Sequence, residues 1–321
     1  MSSDNPRITN DDQVLKPVTN PTGRSLTFDF PGLEIGVGEY EEGPTGCTVF
    51  RFPFGSTGVA DVRGGRPATI LTHREGWVDA ICLAGGAVYG LEATTGVSAE
   101  LLKQKNYDTD WMNIGIVSGA VIFDFNQFRN NRAVYPDKAL GRAALIAAQP
   151  GIFPMGPHGA GVCATVGKSL AKPYSLERAG QGGAVYARDE IRVAAFTVVN
   201  AVGCIVDRDG QVVRGHLHET DGKRYRVGDV RDYSNSPEPP QGNTTLTVVV
   251  INQQMDLREL RQLARQVHSS MARAIDPFHT IHDGDVLYAV TTNQLDPPPL
   301  KYHELSYLAS EVAWDAVLSA F

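Results

Sequence analysis

Apolar positions recur every second residue along some stretches of the chain and every third or fourth along others. Ser25-Leu26-Thr27-Phe28-Asp29-Phe30 and Thr48-Val49-Phe50-Arg51-Phe52 alternate and predict strands. Residues 114–117 and 120–123 read as two strand pieces, and 191–206 is a long β-like run. Asp209-Gly210 then turns the chain into Gln211-Val212-Val213. Residues 244–252, entirely β-branched or apolar apart from the terminal asparagine, and 286–291 predict two further strands. Residues 80–104 are apolar and carry Gly85, Gly86, Gly90 and Gly96, which predicts a tightly packed buried helix, broken at a glycine and ending near Lys103-Gln104-Lys105. A helix over 135–145 has a proline in its first turn. Asp256 with Glu259 three residues on is a capping-box pattern. The helix it opens has Leu257, Leu260, Leu263, Ala264, Val267 and Met271 as its apolar stripe. Residues 304–318 predict a last amphipathic helix with Leu305, Leu308, Val312 and Val317 inward.

Two stretches fall outside these patterns. Residues 1–24 are polar and proline-spotted and read as a flexible or loosely docked arm. Residues 216–242 turn polar, with Pro237, Pro239 and Pro240, and read as a long exposed connection, the natural place for a break. Strands and helices mix without strict βαβ alternation, which points to an α+β protein with helices layered on sheets.

Composition narrows the function classes. With 42% hydrophobic and 20% charged residues, the 321-residue chain has the balance of a soluble globular protein. A net charge of −7 argues against a nucleic-acid partner. Cys47, Cys82, Cys163 and Cys204 stand singly and read as buried thiols of a reducing compartment. The first residues lack the apolar core of a signal peptide, and no apolar run of ~18 residues predicts a membrane span. Together these features predict a cytoplasmic protein.

The chemistry concentrates at Gly242-Asn243-Thr244-Thr245, where the polar loop runs into the 244–252 strand. If the Thr244 hydroxyl attacks the Asn243 carbonyl, an N→O acyl shift gives an ester. Water then cleaves that ester and frees the Thr244 α-amine. The product is a nucleophile carrying its own base, because an α-amine titrates near ~7.7–8.0. A loop simply entering a buried strand has the same sequence. Asp283 and Asp285, at i and i+2, face the same way in extended chain and could orient a threonine, although Asp-Gly is also a common turn. Residues 159–169 are glycine-rich but fail as a P-loop, since five residues separate Gly161 from Gly167 and no strand leads in. Lys168 in that loop could give a site positive charge, or be a solvated surface lysine. Asn200, ending an apolar strand, could donate to an oxyanion or merely terminate the strand. His279, His282 and His303 could bind metal with Asp283, but no helical His-x-x-x-His pair or cysteine supports them, so no metal or cofactor is expected.

Several stretches resemble one family, the self-processing N-terminal-nucleophile hydrolases that include the aminopeptidase/D-amidase–esterases and β-peptidyl aminopeptidases. They are Tyr40-Glu41-Glu42-Gly43-Pro44-Thr45-Gly46, Ile81-Cys82-Leu83-Ala84-Gly85-Gly86-Ala87 and the 134–145 segment; then Gly242-Asn243-Thr244-Thr245, Gln266-Val267-His268-Ser269-Ser270-Met271, Pro277-Phe278-His279-Thr280 and Asp283-Gly284-Asp285. Within the family the chain looks most like the members that cut 6-aminohexanoate (nylon-6 type) oligomers internally. The resemblance implies a four-layer αββα sandwich and cleavage between Asn243 and Thr244. Residues 25–243 and 244–321 would then remain together as one compact catalytic domain, assembled into a homotetramer of processed heterodimers. It also implies Thr244 as nucleophile, Asp283 and Asp285 orienting it, and Lys168 and Asn200 completing the site. Phe123, a candidate substrate-binding residue, stands where a similar family member has tyrosine, so any role of that hydroxyl is lost or taken over. An exo-acting aminopeptidase or D-amidase, and a non-catalytic small-molecule-binding protein, are the competing readings.

Overall fold

The structure, a computed structural model, describes residues 8–12, 15–230 and 243–321. Its principal elements, in chain order, are β1 (Glu34–Tyr40), β2 (Thr45–Val62), β3 (Gly76–Ala84), α1 (Leu91–Gln104), β4 (Val117–Val121) and α2 (Lys138–Ile146). There follow β5 (Gln181–Arg188), β6 (Ile191–Asn200), β7 (Thr244–Gln253), α3 (Leu257–Ser270), β8 (Val286–Leu295) and α4 (Tyr302–Leu318).

Hydrogen-bonded neighbours run in the order β5-β6-β7-β8-β2-β3-β4. The path folds over at β2. The far half of β2, Thr57 to Val62, pairs antiparallel with β8, while Cys47 to Arg51 and then Ser56 to Gly58 pair with β3. Between Arg51 and Ser56 the register slips, the bulge that lets one long strand serve two stacked sheets. Alternation along each strand then builds three apolar layers. Leu246, Val248 and Val250 of β7, with Phe196 of β6 and Val286 and Val290 of β8, meet Phe50, Phe52, Ile81 and Leu83 between the sheets. The opposite faces, including Val249, Ile251, Leu287 and Ala289, pack on Leu260, Leu263 and Val267 of α3 and on Leu305, Ala309 and Val312 of α4. On the far side, Val49, Ala80, Cys82 and Ala84 lie under Ala93, Val97 and Leu101 of α1 and Leu140, Ala144 and Leu145 of α2. The result is the αββα sandwich that the resemblance implied.

Several boundaries differ from those read in the sequence. Residues 80–84 belong to a strand, not a helix: Gly86, at φ +78, separates β3 from the helical segment, and α1 starts at Leu91. A strand covered on both faces has no polar positions to reveal its period of two. Of the two pieces at 114–117 and 120–123, only Val117 to Val121, including the residues between them, form strand β4; 114–116 and 122–123 lie outside it. The 135–145 helix begins at Lys138 because the Asp137 carboxylate accepts from the Leu140 amide at 2.9 Å, with Pro136 outside it. The 191–206 run splits at Asn200 and resumes as the short Cys204–Val206 strand. Only Ser25–Thr27 of the first expected strand is extended pairing, with Ile152–Pro154; Phe28 and Phe30 bury their rings between the sheets. The α3 capping box forms as expected, with Glu259 N donating to Asp256 Oδ1 at 2.7 Å. Residues 216–242 were expected to form one long exposed connection with a break; instead His216 is buried and Leu217–His218 pairs with Tyr174–Ser175, while 231–242 lie outside the described residues. In the N-terminal segment, Val18–Thr19 pairs with Gly38 and Glu39, and the Asn10 side chain donates to the Tyr135 carbonyl at 2.9 Å. No described helix is long and apolar enough to cross a membrane.

Candidate active site

Three strand ends converge at one edge of the β5–β8 sheet. Thr244 is the first residue of β7 and pairs with Asn200, the last residue of antiparallel β6. Because β8 runs parallel to β7, its leading residues reach the same edge, and Asn243 bridges to Asp283 just before β8 begins. Sheet topology therefore gathers residues more than 40 positions apart.

Thr244 is buried, at 4% exposure. Its Oγ1 donates to the carbonyl oxygen of Asn243 at 2.6 Å, and the Gly284 amide donates to that same oxygen at 2.6 Å. The glycine is required by space: a Cβ there would stand 2.7 Å from Thr244 Oγ1. The peptide carbonyl at this junction therefore sits between a hydroxyl and a fixed amide donor.

The two carboxylates flank this peptide. Asp285 Oδ1 accepts from the Thr245 amide at 2.7 Å, while its Oδ2 faces His279 Nδ1 at 2.9 Å and accepts the His279 amide at 3.2 Å. Asp283 Oδ2 accepts from Thr280 N and Oγ1 at 2.8 and 2.5 Å, and Oδ1 from the Val202 amide at 3.3 Å. Both are essentially inaccessible to solvent. Burial, and then the charge of Asp285, push the Asp283 carboxyl above its ordinary range. Asp283-Gly284 is not a hairpin tip: it leads directly into β8. The Thr244 hydroxyl bonds to the Asn243 carbonyl and to neither carboxylate, so the pair brackets the threonine through backbone and loop.

Lys168 is not a solvated lysine. Its Nζ donates to Asn200 Oδ1 at 2.9 Å and to the Asn200 carbonyl at 3.2 Å, and the residue is 9% exposed. Gly167, at φ +76, makes this burial possible, because a Cβ there would lie 2.2 Å from the His216 amide nitrogen. Burial lowers the Lys168 pKa from 10.5 to about 7, with the charges of Asp283 and Asp124 opposing the fall. Asn200 is held on both sides: Oδ1 also accepts from the Thr165 amide at 3.1 Å, and Nδ2 donates to the Phe123 carbonyl at 2.9 Å. Phe123 thus meets the site through its backbone, while its ring is 39% exposed and lies edge-on to Phe125.

All seven residues singled out in the sequence, Phe123, Lys168, Asn200, Asn243, Thr244, Asp283 and Asp285, therefore fall in one connected cluster. Sequence reasoning missed the Gly284 and Val202 amides, Thr280, and Asp124. Asp124 is buried and pairs with Arg129 Nη1 at 2.8 Å. Backbone donors have no residue signature, and Asp124 carried no motif of its own. The histidines do not assemble as a metal site. His279 is engaged with Asp285, and among the described residues no group of three or more His, Cys, Asp or Glu side chains is arranged to hold an ion.

The chain belongs to peptidase family S58, whose model matches residues 25–321, and is an amide-bond hydrolase. It is 46% identical to the 6-aminohexanoate-oligomer endohydrolase of Agromyces sp. (strain KY5R), over 97% of this chain and 90% of that protein. It is 30% identical to an uncharacterized aminopeptidase of Mycobacterium tuberculosis (strain ATCC 25618 / H37Rv), over 79% and 75% of the two chains. In fold it is similar to the Burkholderia sp. beta-aminopeptidase, with a TM-score of 0.63, 16% identity, and 94% and 88% of the two chains covered. The L-aminopeptidase D-Ala-esterase/amidase of Ochrobactrum anthropi, a variant of the Ntn hydrolase fold, gives 0.62, 16%, and 94% and 86%.

Proposed function

We propose that this hydrolase matures by cutting itself between Asn243 and Thr244 and then uses the new N-terminal threonine to cleave internal amide bonds of linear oligomers of the 6-aminohexanoate type. The observation that carries the reading is the Asn243 carbonyl, held at 2.6 Å from both the Thr244 hydroxyl and the Gly284 amide. A donor fixed on a carbonyl oxygen stabilises the negative charge that gathers there when a nucleophile adds.

In the intact chain Thr244 has no free α-amine, so another group must take the hydroxyl proton. Lys168, with its pKa brought to about 7, has a substantial neutral fraction at physiological pH and sits one hydrogen bond from Asn200, the strand partner of Thr244. Oγ1 adds to the Asn243 carbonyl carbon, the C–N bond breaks, and the nitrogen of Thr244 leaves as an amine. Water hydrolyses the resulting ester, restoring the hydroxyl and leaving a carboxylate on Asn243. In turnover the same hydroxyl adds to a substrate amide. The α-amine carries its proton to the departing amine, and water releases the acyl group. Asp285 holds the Thr245 amide beside the nucleophile, Asp283 fixes the Thr280 loop and the Val202 amide around it, and Asn200 supports an oxyanion with the backbone amides. The two pieces, residues 1–243 and 244–321, stay in one catalytic unit, four of which assemble.

The substrate assignment rests on the Agromyces relative, whose name specifies 6-aminohexanoate oligomers and internal cutting. An exo-acting aminopeptidase is the second reading, favoured by the mycobacterial relatives. The test is purification without added protease, N-terminal sequencing of the smaller piece, and a product ladder from a long 6-aminohexanoate oligomer. The proposal expects a fragment beginning Thr-Thr-Leu-Thr and mixed intermediate lengths. A single uncut chain, or a different first residue, would remove Thr244 as nucleophile, and monomer appearing first would favour the exo reading.

A further inference from the structure

We propose that His279 is a positioning residue of this site, holding the Asp285 carboxylate in the orientation that receives the Thr245 amide. The inference rests on the reading of Thr244 as nucleophile. Asp285 is fully buried and divides its oxygens: Oδ1 takes the amide adjoining Thr244, and Oδ2 faces His279. If His279 let go, Oδ2 would lose its ring partner, and the carboxylate could rotate away from the chain end that becomes catalytic.

His279 is built to prevent that. Its backbone sits at φ +58, a left-handed conformation that residues with a Cβ rarely adopt. This conformation lets its amide and its Nδ1 address the same carboxylate oxygen, at 3.2 and 2.9 Å. The ring is clamped. It stacks on Phe278 at 3.8 Å and 28°, and meets the His268 ring edge-on at 4.3 Å and 83°. His268 is itself tied from α3 to β2 by a 2.9 Å contact between its Nδ1 and Asp61, which Arg63 holds at 2.5 Å. Four successive contacts, Asp285–His279, His279–His268, His268–Asp61 and Asp61–Arg63, thus fix one carboxylate. A histidine needed only to fill space requires neither the strained backbone nor the bidentate approach.

Two variants separate ring from backbone. His279→Gly relieves the left-handed strain and deletes the Nδ1 donor. His279→Asn tolerates the backbone and keeps an N–H where Nδ1 stood. The measurements are self-cleavage rate, kcat and KM on a 6-aminohexanoate oligomer, circular dichroism and thermal melting. A displaced catalytic geometry costs on the order of 10²-fold. His279→Gly should therefore cut kcat and self-cleavage by about that factor with little change in KM, and His279→Asn should stay within a few-fold of the parent. A folded His279→Gly protein with parental kcat overturns the proposal. If the glycine variant does not fold, His279→Asn decides: activity near the parent supports the assignment, and a large loss with intact dichroism overturns it. Thr244→Ala run in parallel keeps the two readings apart. If it still processes, the nucleophile assignment fails. If it is dead while His279→Gly is normal, only the role of His279 fails.

Discussion

Replacing Lys168 by methionine tests the electrostatics of the site directly. A solvated lysine titrates at 10.5 and this one at about 7, a difference equivalent to roughly 5 kcal/mol. The folded pKa lies below the unfolded one, so the sign is definite. Below about pH 7 both states are protonated, and the fold bears the full cost of a buried ammonium. Between about 7 and 10.5 the unfolded chain binds the extra proton, and stability rises with pH by ~1.4 kcal/mol per unit. Methionine keeps the apolar stem and removes the titration. The lost hydrogen bonds to Asn200 add an offset that does not vary with pH. Both proteins should carry Thr244→Ala, so that cleavage does not intervene, and be unfolded in urea across this range. From pH 7 to 9 the Lys168 protein should gain about 2–3 kcal/mol relative to Lys168→Met. A difference flat with pH would refute the buried, depressed lysine, and with it the base proposed for self-cleavage. In an otherwise unmutated chain, Lys168→Met should slow self-cleavage by ~10²–10⁴-fold.

Gly284→Ala places a methyl 2.7 Å from Thr244 Oγ1 and 2.8 Å from the Arg66 carbonyl oxygen, so the intact chain should accumulate on a denaturing gel while the fold survives. Asp285→Asn exchanges one acceptor for a donor facing either the Thr245 amide or His279; self-cleavage and oligomer hydrolysis should both fall by ~10²-fold or more, and parental rates would take Asp285 out of the site. Leu263→Ala, in the layer beneath α3, should lower stability by about 2–5 kcal/mol in denaturant titrations without shifting the cleavage site.

The candidate site was legible where it depends on residue type. A threonine opening a β-branched strand after a proline-bearing loop, and two aspartates at i and i+2, are visible as written. Lys168 and Asn200 were visible only as candidates, because their pairing depends on Gly167 turning the chain so that the lysine points inward. The Gly284 amide was invisible, since every residue but proline has one. The contacts of His279 and Thr280 with the two carboxylates depend on a loop conformation that sequence spacing does not encode. Among the elements, α3 was easiest: its capping box and stripe are local, and its outer face is polar. The 80–84 strand was misread because both of its faces are buried, and the bulge in β2 left no mark that would reveal one strand shared by two sheets.

The order of strands bears on how a matured molecule would age. If the chain is cut between Asn243 and Thr244, β7 and β8 would belong to the shorter polypeptide yet lie between β6 and β2 of the longer one, hydrogen-bonded on both sides. The continuous chain can fold by ordinary search, its tether bringing the inner strands to their places. A severed pair would have lost that tether, and a fragment pulled out would have no template of its own to refold on. Maturation would then turn durability into a matter of unfolding rate, with a barrier standing where an equilibrium stood before. Heated and cooled, the uncut chain should regain its structure, whereas the cut one keeps its structure only as long as it never lets go.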